Sequence, residues 1–188
     1  MGLFPKTIVV ACTALGLASC SQMQTDDTFA SAKAASEKYR DVDVALAAGY
    51  IPDPSGECVE SPAGGMGIHY LNMALLEVTR ADPRVDGTGT HTDFLNPAIL
   101  LYEPQEDGSL ELVGIENLVF QASWAAAGYA YPPSYGGSEW DAMADNPDTD
   151  MDEAHGFTPH YDRHVWVFRD NPAGMIAPFN SNVSCEFH

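Results

Sequence analysis

Ala98-Ile-Leu-Leu-Tyr-Glu103-Pro-Gln-Glu106-Asp107-Gly108-Ser109-Leu110-Glu-Leu-Val-Gly-Ile-Glu116 is the stretch on which the fold turns. Two apolar runs, Ala98 to Glu103 and Leu110 to Glu116, flank Glu106 to Ser109. An Asp-Gly pair between such runs is the strongest short-range signal for an antiparallel hairpin. With Asp107-Gly108 as the two loop residues, Glu103 pairs with Leu112, Leu101 with Gly114 and Ile99 with Glu116. One face then carries Leu100, Tyr102, Val113 and Ile115 and belongs to a core. The other carries Ile99, Leu101, Leu112, Gly114 and both glutamates, which makes it either a half-exposed surface or the lining of a pocket.

Upstream, Phe29, Ala32, Ala35, Tyr39, Val42 and Leu46 recur at spacings of three and four. Thr28 can cap the start and Gly49 the end, so Phe29 to Ala48 is expected to form one amphipathic helix. Tyr50 to Pro62 reads as a proline-rich loop, and Gly64-Gly65-Met66-Gly67-Ile68-His69-Tyr70 as a glycine run entering a strand or helix at Ile68 to Leu76. That run has neither nucleotide-binding spacing, and its glycines are expected to permit a close backbone approach. Ala81 to Thr92 is a polar connection.

Downstream, Leu118 to Tyr129 and Ser138 to Ala144 suggest short helices, the second with Ser138 and Asp141 in capping-box spacing. Asp145 to Glu153 is acidic, but Glu153 and Pro159 stand where an EF-hand loop needs glycine and the bidentate glutamate, so a solvated loop is expected. Met175 to Cys185 reads as a last extended segment after the turn at Asp170 to Gly174.

The first twenty residues stand apart. Lys6 followed by the apolar run Ile8 to Leu17 is a short export signal, too short to span a bilayer. Leu17-Ala18-Ser19-Cys20 resembles the lipobox of bacterial lipoproteins, which implies cleavage after residue 19 and lipidation of Cys20. Ser21 resembles the sorting pattern of outer-membrane lipoproteins, which implies a membrane partner through the lipid and a periplasm-facing location. An ordinary secretory signal would leave the same exported domain without its anchor. Residues 20–27 then form a tether and 28–188 a single domain.

Once the signal is removed, 7 basic side chains face 27 acidic ones. Such a field disfavours nucleic acid and anionic lipid surfaces and draws in cations. Cys12 leaves with the signal and Cys20 takes lipid, so Cys58 and Cys185 remain in an oxidising compartment and are expected to bridge.

Chemistry concentrates in His155 to Phe168, which holds three of the six histidines. Gly-x-Ser-x-Gly, Cys-x-x-Cys-His and His-Glu-x-x-His are all absent from the chain. Val165-Trp166-Val167-Phe168 has the composition of a buried strand, so His164 should enter a sheet, with His155 and His160 on the approach. On a strand, His160 and His164 share a face but stand ~13 Å apart, so one ion takes both only if the chain bends. The expected site is therefore cross-strand: His164 with His69, Glu116 from the hairpin, and His160, with His155 and Glu103 as secondary candidates. Three imidazoles and one carboxylate suit zinc, copper, manganese or iron alike.

Gly-Met-Gly-Ile-His-Tyr at 65–70, Leu-Tyr-Glu-Pro at 101–104, His-Tyr-Asp-Arg-His-Val-Trp-Val-Phe at 160–168, Asn-Pro-Ala-Gly at 171–174 and Val-Ser-Cys at 183–185 resemble an uncharacterised group of exported bacterial proteins. The resemblance covers most of the chain after the signal and implies domain boundaries, without an activity.

The fold expected is α+β, with the N-terminal amphipathic helix packed on a curved antiparallel sheet and a small cupin-like barrel as the rival. The function expected is divalent-metal binding in the envelope. Alternatives are a non-catalytic module holding a small ligand or envelope protein around Trp166, Phe168 and Tyr102, and a metal-dependent enzyme, which also needs an open coordination position.

Overall fold

The computed structural model describes residues 27–149 and 151–188. The expected signal segment, Cys20 and residues 20–26 of the expected tether lie outside them. No helix among the described residues is long and apolar enough to cross a membrane.

The hairpin forms the middle of the sheet, as β6 (Ile99–Pro104) and β7 (Leu110–Phe120). The expected pairing holds at Ile99 with Glu116 and at Leu101 with Gly114. It then shifts by one residue at a bulge, so Tyr102 pairs with Leu112, and Glu103 with Glu111 instead of Leu112. A bulge adds one residue to one strand only, and beyond it every side chain changes face. Leu112 accordingly joins Leu100, Tyr102 and Ile115 in one buried cluster, while Val113 joins Ile99 and Leu101 in the other. The turn is also longer than two residues. The Gln105 N–H donates to the Ser109 carbonyl at 2.9 Å, and the Asp107 carboxylate accepts from the Ser109 N–H at 2.9 Å. Asp-Gly located the turn, but its side-chain bond stabilises a wider loop.

Around the hairpin lie β1 (Tyr50–Pro52), β2 (Cys58–Ser61), β3 (Gly64–Asn72), β10 (Asp141–Met143) and β11 (His160–Val165). The strand order is β1-β3-β6-β7-β11-β10, with β2 also on β3, and all pairings are antiparallel. The sheet runs open from β1 to β10, so the cupin-like barrel is not formed. Two small ribbons complete the β structure: β4 (Val78–Arg80) with β5 (Asp86–Gly87), and β8 (Ser134–Tyr135) with β9 (Ser138–Glu139).

Five local expectations are corrected. Tyr50 to Pro62, expected as a loop, supplies β1 and β2, both paired with β3. The helix of Phe29 to Ala48 is divided into α1 (27–36), a 3-10 turn at Glu37–Arg40 and α2 (Val42–Ala47). Asp41 leaves helical geometry (φ −87°, ψ 111°), and its carboxylate accepts from the Asp43 N–H to start the chain again. The apolar stripe survives the break through Ala32, Tyr39 and Ala45, whereas Leu46 is turned to solvent. Strand β7 runs on to Phe120, so the helix expected in Leu118 to Tyr129 is only α3 (Gln121–Ala126). Ser138 to Ala144 is not helical but supplies β9 and β10, and Asp141 pairs with Arg163 at 3.3 Å rather than serving a helix start. Met175 to Cys185 is a series of turns with one bridge, Gly65 to Asn180, in place of an extended strand.

Those turns explain the glycine run. The Gly65 N–H donates to the carbonyls of Asn180 and Val183 at 3.0 and 3.1 Å, and a Cβ on Gly65 would stand 2.8 Å from the Val183 oxygen. Gly67 takes a φ of +85° with the Tyr102 carbonyl 2.5 Å from where its Cβ would be. Only a residue without a side chain allows both approaches. The tail is further fixed by the Cys58–Cys185 disulfide, as the cysteine count anticipates.

Both faces of the sheet are therefore covered. The N-terminal helical segment supplies Ala32, Tyr39 and Ala45 over Leu100, Tyr102 and Ile115. On the opposite face Leu76, Val85, Phe157 and Val183, all from connections and the tail, cover Leu71, Ile99, Leu101, Leu118 and Trp166. The hairpin face that carries Glu116 is thus an interior, not a half-exposed surface.

Candidate metal centre

Strand pairing assembles the site. β3 places His69 opposite Leu101, β6 places Ile99 opposite Glu116, and β11 places His164 opposite the same Glu116. Paired residues share a face and alternate residues repeat it, so His69, Glu116 and His164 come from three strands onto one side. His69 is 4 % exposed, Glu116 2 % and His164 1 %. The Glu116 Oε2 lies 3.3 Å from His69 Nε2 and 3.5 Å from His164 Nε2. The two imidazoles meet edge to face, with ring centroids 6.1 Å apart.

These three side chains form a buried group able to hold a metal ion, with one ligand atom from each within 4.8 Å of the others. Neighbouring ligands in a tetrahedral site with bonds of about 2.0–2.1 Å stand roughly 3.3 Å apart, close to both carboxylate–imidazole separations. Polar satisfaction points the same way. Among the described residues, Glu116 Oε2 and both ring nitrogens of His164 have no hydrogen-bond partner. Leaving buried polar atoms unpaired costs about 1–3 kcal/mol each, more for a charged group. A cation between them removes that cost, and two imidazoles plus a carboxylate are a donor set for a divalent first-row ion with a position left open.

Electrostatics around the group are those of an anionic pocket. Burial pushes the His69 pKa down, but the adjoining Glu116 carboxylate, then Asp53 and Asp162, push it up further, and the net shift is upward. Burial pushes Asp162 up, and contact with His160 together with the charges of His164, His160 and His155 more than offsets this, so its carboxyl is held below the usual range.

The remaining sequence candidates fall elsewhere. His160 lies on the same face as His164, but β11 pairs with β7 in unbroken register and no bend brings the two together on one ion. Its Nε2 stands 3.6 Å from Asp162 Oδ2, and its Nδ1 3.0 Å from the Thr158 carbonyl oxygen. His155 sits in a loop at a positive φ of 49°, its Nε2 buried without a partner among the described residues. Burial, then repulsion by His69 and His164, lowers its pKa. Glu103 is committed to structure: it pairs with Arg169 at 2.6 Å and accepts from the Ser184 N–H at 2.7 Å. The aromatic pocket expected around Trp166, Phe168 and Tyr102 does not form, because Trp166 lies in one cluster while Tyr102 and Phe168 lie in the other.

Asp162 is the residue that sequence reading missed. Its signal was present: His160-x-Asp162-x-His164 has the period of two that places all three on one strand face. Its Oδ2 lies 3.9 Å from His164 Nδ1, so His164 stands between two carboxylates.

Comparison of the chain with protein-family models, with curated proteins and with solved structures gives no match.

Proposed function

We propose that the chain is an exported envelope protein that binds a divalent first-row metal ion through His69, Glu116 and His164. One observation carries this reading: three ligand-type side chains from three strands converge in the interior, and the atoms that face one another include Glu116 Oε2 and His164 Nε2, which make no hydrogen bond among the described residues. Structural histidines and carboxylates are ordinarily hydrogen-bonded when buried. Support for export comes from the Leu17 to Cys20 sequence and from the Cys58–Cys185 disulfide, which suits an oxidising compartment. Lipid attachment at Cys20 and an outer-membrane, periplasm-facing location belong to the same proposal.

The test is element analysis of the purified chain after separate reconstitution with zinc, copper, manganese and iron, beside His164→Ala. Stoichiometric metal in the native chain and a loss of at least about tenfold in affinity in the variant are expected, since even outer-shell partners are worth 10–100-fold. A native chain that retains none of the four ions ends the proposal.

A further inference from the structure

An ion held by His69, Glu116 and His164 has to cross the protein to reach them, because all three side chains are buried. A buried metal site needs an entry path as well as ligands. His69 sits at a break in the surrounding wall. On the side of β3 away from β6, β1 pairs only as far as Pro52 with Tyr70, and β2 only as far as Cys58 with Ile68. His69 therefore lies between the two edge strands, where the Asp53 N–H donates to its carbonyl at 2.8 Å.

Two adjoining clefts, of about 330 and 380 Å³, are both lined by the connection that runs from Asp53 to Cys58 across this break. They share Ser55, Pro83, His155 and Gly156, and of these only His155 has a side chain suited to a transition metal. Its Nε2 is buried and makes no hydrogen bond among the described residues. Its backbone stands at a φ of +49°, which a residue with a side chain keeps only where its surroundings enforce it. They do so here: the Val85 N–H donates to the Gly156 carbonyl at 2.8 Å, the Thr158 N–H to the Val85 carbonyl at 2.9 Å, and the Asp152 carboxylate accepts from the Gly156 N–H at 2.8 Å. The charges of His69 and His164 both act on the His155 ring, so it stands within electrostatic reach of two of the three ligands.

The charge along the clefts has the sign that a cation needs. Arg84, beside them, is taken up by Asp145 at 2.5 Å and Asp152 at 3.0 Å. Asp53, Glu57, Glu60 and Asp82 line the clefts and enter no ion pair among the described residues. A cleft lined by one sign of charge raises the local concentration of counter-ions and their rate of arrival.

We propose that these clefts are the path by which a hydrated divalent cation reaches the buried site, and that His155 takes the ion in passage before His69, Glu116 and His164 hold it. The path rests on the proposed function, which supplies its cargo. His155 is a contact of the crossing and not of the bound state, so it lowers the barrier in both directions and leaves the equilibrium unchanged.

The test is stopped-flow binding of Cu(II) to the metal-free chain, read by quenching of Trp166, whose ring lies 6.1 Å from that of His164, with release into excess chelator and the dissociation constant from equilibrium dialysis. His155→Asn suits the positive φ and removes the imidazole. It should slow binding and release alike, by about tenfold for one lost contact to a charged group, and keep the dissociation constant within about twofold. Ala81→Trp narrows the first cleft from outside the His155 loop and should also slow both rates; it carries the expectation should His155→Asn fail to fold, as checked by far-UV circular dichroism. Asp82→Asn with Glu57→Gln should slow binding at about 0.01 M ionic strength and match the native chain at about 1 M, where screening is nearly complete. A His155 with a structural role only would speed release or weaken equilibrium binding without slowing entry. That pattern overturns the path, as do unchanged rates in His155→Asn and Ala81→Trp, and either result leaves the proposed function standing. A native chain that takes up no Cu(II) also overturns the path, and the proposed function then stands or falls on zinc, manganese and iron.

Discussion

Glu116 is held on both sides by imidazole nitrogens, at 3.3 and 3.5 Å, in an interior that gives it no hydrogen-bond donor for Oε2 among the described residues. Glu116→Gln keeps the shape and removes the charge, so it should leave the fold intact while lowering metal affinity by at least about tenfold, read by competition with a chromophoric chelator. The metal-free chain should also show the pH dependence of His69. Its folded pKa is raised, so the stabilisation from protonated His69 is fully present below about pH 6.5, the unfolded value, and is lost as pH rises through the folded one. Asp162 acts in the opposite sense: its folded pKa is lowered, and its contribution, present above about pH 3.9, is lost as pH falls through the folded value. Urea midpoints of the metal-free chain should therefore decline from pH 6 toward pH 8. Bound metal should cancel that decline, because the ion takes the place of the His69 proton. A midpoint that rises over this interval without metal would contradict the sign assigned to His69.

Strands β3, β6, β7 and β11 act as a rack whose register sets which donors meet. Leu101 sits in the rack beside the site, wholly buried and paired with both His69 and Gly114. Leu101→Ala should cost about 2–5 kcal/mol in urea unfolding, the range for a deleted core side chain. Gly67 combines a φ of +85° with a carbonyl 2.5 Å from the site of its missing Cβ, so Gly67→Ala should destabilise by about 1–3 kcal/mol or more and weaken metal binding by loosening β3 against β6. A stability unchanged within error would mean that the Tyr102 backbone yields without cost. The hairpin was legible at this scale because its turn and alternation are local. The bulge before Tyr102 was not, because a bulge is chosen by what must pack on the two faces, and those partners come from elsewhere in the chain.

Over the whole molecule, one open sheet is buried on both sides, by the N-terminal helical segment on one face and by connections and the tail on the other. The second cover has little regular structure of its own. It is held by the Gly65 bonds to Asn180 and Val183, by Arg169 between Glu103 and Glu111, and by a disulfide joining residues 127 apart. Reduction, or Cys58→Ala with Cys185→Ala, should cost about 2–4 kcal/mol, observed as a lower thermal midpoint. Because the tail's Val183 packs in the cluster that covers the histidine face, loss of the bridge should also speed metal release, measured with excess chelator. Metal at a hundredfold over its dissociation constant should restore about 2.7 kcal/mol to either form.

The sequence by itself determined whatever depends on neighbours along the chain: an antiparallel hairpin at Asp107-Gly108, an amphipathic stripe from Phe29 though not its break at Asp41, a strand carrying His164, a cysteine pair, and a histidine and carboxylate set spread over 69 to 164. Strand arithmetic also separated His160 from His164, and the regular β11 keeps them apart. Tertiary structure decided which of those donors meet. His69, Glu116 and His164 converge because β3, β6, β7 and β11 are neighbours in that order, while Glu103 is drawn away to Arg169 and Asp162 enters beside His164. The physical reason is that side-chain alternation fixes a face locally, whereas strand order and register, which choose the partner across that face, are set by packing between segments far apart in the chain.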